Sequence, residues 1–226
     1  MSDLSLIDNH PHIWRAGQRQ ASQLRLSTQH PALDEALSGG LIADGAVRIV
    51  SQTGIGELSM LTSVLAQFRE HKLCVFINPP GILQPAWLAS ASIQSERVYQ
   101  VAPTDNDAAL WAAEQCLKSS ACHCVLVWSH SISPKQARRL QVAASHNNAL
   151  VVLYMPPRCR RVSLPVSQDL SLQPAQGGLS VNIIKQAQGW PVEDVFVSLA
   201  HVPDNQPITR AMALTGSADS KMTHAG

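Results

Sequence analysis

Between residues 46 and 155, short apolar runs alternate with segments of helical pattern, and no other feature narrows the fold as much. The runs are "AVRIV", "LCVFI", "RVYQV", "CVLVW" and "ALVVLYM". Leu58, Leu61, Leu65 and Phe68 recur at helical spacing after the first. The segments "PAWLASAS", "NDAALWAAEQCLKSS" and "PKQARRLQVAASH" fill the later gaps. Apolar runs of about five residues read as strands buried on both faces, so the pattern predicts a parallel sheet with helices on either side. Further on, "DLSLQPAQGGLSVNIIKQ" alternates polar and apolar residues around Gly177 and Gly178, which predicts a β-hairpin. The expected class is α/β: a mostly parallel sheet, helices on both faces, and a C-terminal hairpin.

The flanks differ in composition. Residues 1–29 are polar and are expected to form an N-terminal arm, with the α/β domain over residues 30–190 and a partly disordered tail over 191–226. "STQHPALDEALSGGL" reads as a short helix, with Thr28 as its N-cap and Gly39 and Gly40 as stop signals. With 226 residues, 45% hydrophobic and 15% charged, the chain supports one good-sized globular core and excludes general disorder. The start lacks a basic and then apolar leader pattern, and runs such as "ALVVLYM" fall far short of a membrane span. Five cysteines, an odd number, argue against a disulfide framework. The expected setting is the cytoplasm, with reduced thiols.

The strand "AVRIV" leads into "SQTGIGELSML", which has the outline of a phosphate-binding loop. A working loop follows G-x-x-x-x-G-K-[ST]: backbone N–H groups wrap the phosphates, the lysine neutralises them, and the hydroxyl holds magnesium. Aligned on Gly56, this chain places Ser51 at the first glycine, Glu57 at the lysine and Leu58 at the hydroxyl position. Glu57 sets a carboxylate where polyphosphate would sit. Two like charges about 4 Å apart repel by about 1 kcal/mol in water and several times that near a protein surface. No carboxylate ends the strands where such ATPases carry one: "CVLVW" runs into Ser129 and His130, and "LCVFI" into Asn78, Pro79 and Pro80. The favoured reading is that Gly54 and Gly56 make a tight strand-to-helix turn, with no nucleotide cofactor and no catalysis.

Other constellations are weaker. Cys116, Cys122, His123 and Cys124 lie close in sequence, but the spacing is poor for zinc, and buried apolar cysteines are the simpler account. No G-x-S-x-G elbow is present, and no histidine has an identifiable acid and nucleophile beside it. Charge distribution says more than the net +1. No Asp or Glu occurs between Glu114 and Asp169, while Lys118, Lys135, Arg138, Arg139, Arg158, Arg160 and Arg161 do. Lys135, Arg138 and Arg139 share one helical face. Such a field suits DNA phosphates or an acidic partner, and equally a merely solvated face. No aromatic stacking platform is interleaved with these cations, so base stacking is not indicated. Trp14 is expected to be exposed or to pin the arm, and Trp87, Trp111 and Trp128 to pack in the core.

The segments "HPHIWR", "HPALDEALSGGLIADGAV", "GIGELSML", "FINPP", "DAALWAAEQCLKSSACHCVLVW" and "ARRLQVAASHNNALVVLYMPP" resemble the ImuA family, RecA-like proteins linked to translesion DNA synthesis. The resemblance covers residues 10 to 190; its most specific blocks are "LWAAEQCLKS" and "RRLQVAA". It implies a RecA-like core without a working ATPase, induced by DNA damage and acting as an adaptor in an error-prone mutasome. The implied partners are an ImuB-type Y-family polymerase homologue and, through it, an error-prone replicative-type polymerase and the sliding clamp, with RecA a further candidate. The shorter SulA family of cell-division inhibitors is similar to the later strands and helices, and implies instead a blocker of FtsZ polymerisation. The stretch before and through the loop favours ImuA.

Overall fold

A computed structural model describes residues 24–67, 71–160, 162–187 and 189–199. Its sheet strands are β3 (Gly45–Val50), β4 (Leu73–Ile77), β5 (Val98–Val101), β6 (Cys122–Trp128), β7 (Leu150–Met155), β8 (Gln168–Ala175), β9 (Gly178–Gln186) and β10 (Val192–Ser198). Their order is β10-β9-β8-β3-β7-β6-β4-β5. From β8 to β5 every pairing is parallel, and β9 and β10 add antiparallel strands beyond β8. A separate small ladder joins β1 (Arg25–Leu26) to β2 (Leu41–Ile42). The fold is thus the mostly parallel α/β sheet expected, with its C-terminal hairpin.

Helices cover both faces because the inner strands carry apolar residues facing each side of the sheet. In β7, Val152 and Tyr154 join one core and Val151 and Leu153 the other. The first core lies under α1 (Pro31–Ala36), α2 (Thr62–Ala66) and α3 (Pro85–Ser90), which contribute Leu33, Leu65 and Leu88. The second lies under α4 (Asn106–Lys118) and α5 (Pro134–His146), whose Ala109, Ala113, Ala137 and Ala144 let the helices sit close to the strands. Both long helices are capped: the Asp105 carboxylate accepts from Ala108 N–H, and Ser133 forms a reciprocal capping box with Gln136, with Pro134 in the first turn.

Four details differ from the sequence reading. β10 lies beyond residue 190, so the sheet takes in residues assigned to the tail. Its inward Val195 and Val197 alternate with exposed positions, but a bulge between Val192 and Val195 interrupts that pattern. The helix after the loop is brief: a 3₁₀ turn over Ser59–Leu61 precedes the five residues of α2, and Phe68 lies outside the described residues. Thr28 does not cap α1; His30 holds that position, and Thr28 donates through its N–H and hydroxyl to Asp34 at 2.8 and 2.7 Å. Trp111 is 62% exposed, not part of the core. On α4 the buried residues Ala109, Leu110, Ala113 and Leu117 share one side, and at 3.6 residues per turn Trp111 falls well away from it. Residues 1–23 of the expected arm, including Trp14, and the chain after Leu199 lie outside the described residues, while Arg25–Leu26 of that arm form β1.

Candidate functional site

The carboxyl ends of β3, β4, β6 and β7 open onto a cleft of about 300 Å³. Open α/β sheets bind ligands at that edge, where the chain reverses its direction of progress across the sheet. Here the adjacent strands β3 and β7 lead on in opposite directions, β3 to β4 and β7 to β8. Ser51, Thr53 and Glu57 line one wall, Asn78 follows β4, and Trp128, Ser129 and His130 come from the end of β6. Tyr154, Met155 and Arg158 complete it from β7 and the turn beyond.

The loop from Ser51 to Leu58 is built around Glu57. Its side chain turns back into the loop, where its carboxylate accepts from Gly54 N–H at 3.1 Å to each oxygen and from Ile55 N–H at 3.0 Å. Glu57 is 5% exposed and is the one acid among the described cleft-lining residues. Successive backbone N–H groups converging on one point form an anion nest, and this nest is filled by the protein's own carboxylate. Gly54 and Gly56 supply the left-handed turns this needs, at φ +83° and +101°. Gly56 has a second constraint: a Cβ there would stand 2.5 Å from Leu199 Cδ1. Leu199, just past β10, is held by its N–H to Gly177 O at 3.2 Å and closes over the loop. Ser51 lies 7% exposed with its N–H on Met155 O at 3.0 Å, and Leu58 is half-buried against the first core.

Beneath the loop, Trp128 stacks on Tyr154 with ring centroids 4.6 Å apart and on Phe76 at 6.2 Å. These three come from neighbouring strands β4, β6 and β7 and make a rigid floor. Tyr154 donates its hydroxyl to Glu57 O at 3.2 Å. Burial, then the nearby Glu57 charge, holds the Tyr154 phenol well above its ordinary pKa, so it stays a donor. Ser129, which follows β6, directs its hydroxyl to Asn106 Oδ1 at 2.7 Å and Ser131 O at 2.8 Å.

The predicted cations are separated. Arg158 lines the cleft, while Lys135 and Arg138 stand exposed on α5; Arg160 is exposed in the turn after β7, and Arg161 lies outside the described residues. Arg139 is not a free member of the basic face. It pairs with Glu114 of α4, which also takes Lys118 Nζ at 2.6 Å. Burial pushes the Glu114 carboxyl up, but hydrogen bonds from Lys118 and Arg139 outweigh that and leave it below the usual carboxylate range.

Sequence reasoning missed one feature that positions the site. Arg48, in the middle of "AVRIV", is 1% exposed and pairs bidentately with Asp169, its register partner on β8, with Nε to Oδ1 at 2.8 Å. The same guanidinium donates to Cys159 O and Val162 O, fixing the turn that carries Arg158. An arginine inside an apolar run was the available signal. The cysteines sort by depth: Cys74, Cys122, Cys124 and Cys159 are buried, and Cys116 is half-buried. A hydrogen bond from Cys122 lowers the Cys116 thiol to about 7. No helix among the described residues is long and apolar enough to cross a membrane.

No family model matches the chain. Among solved structures, it is similar to the crystal structure of SulA from Pseudomonas aeruginosa, with 25% sequence identity over 49% of this chain and 97% of that chain, at a TM-score of 0.42.

Proposed function

We propose that this protein is a non-catalytic adaptor of DNA-damage-induced, error-prone translesion synthesis, built on an α/β scaffold whose phosphate loop has been given over to architecture. The observation that carries the non-catalytic half is the Glu57 carboxylate seated on Gly54 and Ile55 N–H. An incoming phosphate would have to displace a carboxylate held by charge-assisted hydrogen bonds, each worth about 1.5–3 kcal/mol, and would gain no lysine in return. The translesion half rests on the ImuA resemblance of the sequence, which implies an ImuB-type polymerase homologue as the partner. The scaffold would act by docking, with no group transfer of its own.

A pull-down with the tagged full chain from DNA-damaged cells tests the reading. Recovery of a Y-family polymerase homologue with an error-prone replicative polymerase is the expected result. Recovery of FtsZ without either, together with filamentous growth on overexpression, would replace it with a division-inhibitor role.

A further inference from the structure

Outside the cleft, the end of α4 and the start of β6 bring two thiols together. Cys116 stands near the end of α4, and Cys122 opens β6. The connection between them is short and pinned. Ser119 donates its hydroxyl to Cys116 O at 2.7 Å and accepts from Ala121 N–H at 3.2 Å, and Ser120 takes a left-handed φ of +59°. Cys122 is a buried member of the second core, Cys116 packs against that core at its margin, and the two thiols share a hydrogen bond. Cys122 is 3% exposed, whereas the half-buried Cys116 meets solvent. Sulfurs already in hydrogen-bond contact can close to the disulfide length of about 2.05 Å by rotation of their side chains. A metal site is the poorer reading of this cluster: among the described residues, no group of three or more His, Cys, Asp or Glu is placed to hold an ion.

We propose that Cys116 and Cys122 are a peroxide-sensitive pair that closes a reversible disulfide, with Cys116 attacking and Cys122 resolving. The shared hydrogen bond divides the roles. It holds the Cys116 thiol near 7, so much of it is thiolate, the reactive form, at neutral pH. The same bond, then burial, pushes Cys122 up, so Cys122 keeps its proton. The Cys116 thiolate attacks one oxygen of a hydroperoxide and the O–O bond breaks. With hydrogen peroxide, Cys116 becomes a sulfenic acid, and the leaving hydroxide takes up the proton that the Cys116 thiol had released. The Cys122 sulfur then attacks the sulfenic sulfur, the S–O bond breaks, and hydroxide leaves with the Cys122 proton as water. Two thiols thus lose two protons and two electrons, and the peroxide is reduced to two waters. A second thiol pair is a built-in contrast. Cys74 and Cys124 are register partners on β4 and β6, but both are buried in the first core, and burial pushes the Cys74 thiol well up, so this pair stays reduced.

Mass spectrometry of the full chain tests this. The chain is treated with hydrogen peroxide at neutral pH, remaining thiols are blocked with N-ethylmaleimide, and trypsin then cuts after Lys118, which separates the two cysteines. The expected product is a cross-link between peptides 98–118 and 119–135 that dithiothreitol reverses, with fragmentation placing it on Cys122 and not Cys124. Dimedone, which traps sulfenic acids, should label Cys116 transiently in the wild type and to completion in Cys122→Ser. Cys116→Ser should slow peroxide-dependent thiol loss by about tenfold or more, because ordinary thiols are mostly protonated at neutral pH. The wild-type cross-link is read without any variant, so a poorly folded Cys122→Ser leaves the test intact. Three results would each overturn the proposal. One is Cys116 still reduced after peroxide that oxidises free cysteine. Another is a cross-link from Cys116 to Cys124 or to a second chain. The third is a wild-type Cys116 that stops at the sulfenic, sulfinic or sulfonic acid with no disulfide.

Discussion

Glu57 joins two roles that its neighbours would otherwise leave open: it satisfies loop N–H groups, and it denies the nest to outside anions. Glu57→Gln keeps the shape but weakens charge-assisted bonds, so it should lower stability by about 1–2 kcal/mol in urea unfolding. Glu57→Ala should cost about 1–3 kcal/mol, because buried N–H groups lose their partner. Cys116 offers a second residue-scale check. With its thiol near 7 and half-exposed, against four buried thiols, it should be the first cysteine alkylated by iodoacetamide near neutral pH. Mass spectrometry of the labelled chain would show this. Faster labelling of Cys74 or Cys124 would contradict the packing described.

At the scale of elements, pairs across strands and helices hold the site's frame. Arg48→Ala leaves Asp169 charged, buried and unpaired between β3 and β8, and should cost about 3–5 kcal/mol. Replacing both residues by apolar ones of similar volume should recover most of that loss, which separates desolvation from packing. The α4–α5 tie is pH-dependent. Glu114 has a folded pKa below its ordinary value, so its ion pairs stabilise the protein above the ordinary carboxylate pKa of about 4.3. That stabilisation fades as pH falls through the lower folded value, and in Glu114→Gln this acid-side decline in melting temperature should be shallower. Gly56→Ala forces a side chain into positive φ and against Leu199, and should cost about 1–3 kcal/mol. In a double-mutant cycle with Leu199→Ala the costs should couple, because one contact is shared.

Across the whole molecule, the core legible in the sequence is the core observed. Most residues of β3, β6 and β7 are apolar because helices cover both sheet faces. The glycine turn was also legible, since it depends on residue type at fixed spacing. What the Glu57 side chain does was not, because a side chain turning back onto its own loop leaves no periodic trace. Arg139 looked free for a related reason: its partner, Glu114, lies 25 residues away on another helix, beyond the reach of local charge patterning. Trp111 was misplaced through its neighbours, which are core residues one helical step away. The strand β10 was missed because its bulge between Val192 and Val195 breaks the alternation that marks a strand.

The claim on which the rest depends is that Glu57 fills the nest at the head of the sheet. Equilibrium titration of the full wild-type chain with a fluorescent ATP analogue and magnesium tests it most directly. No saturable binding is expected in the micromolar range; micromolar affinity, competed by unlabelled ATP, means that the nest is open to phosphate.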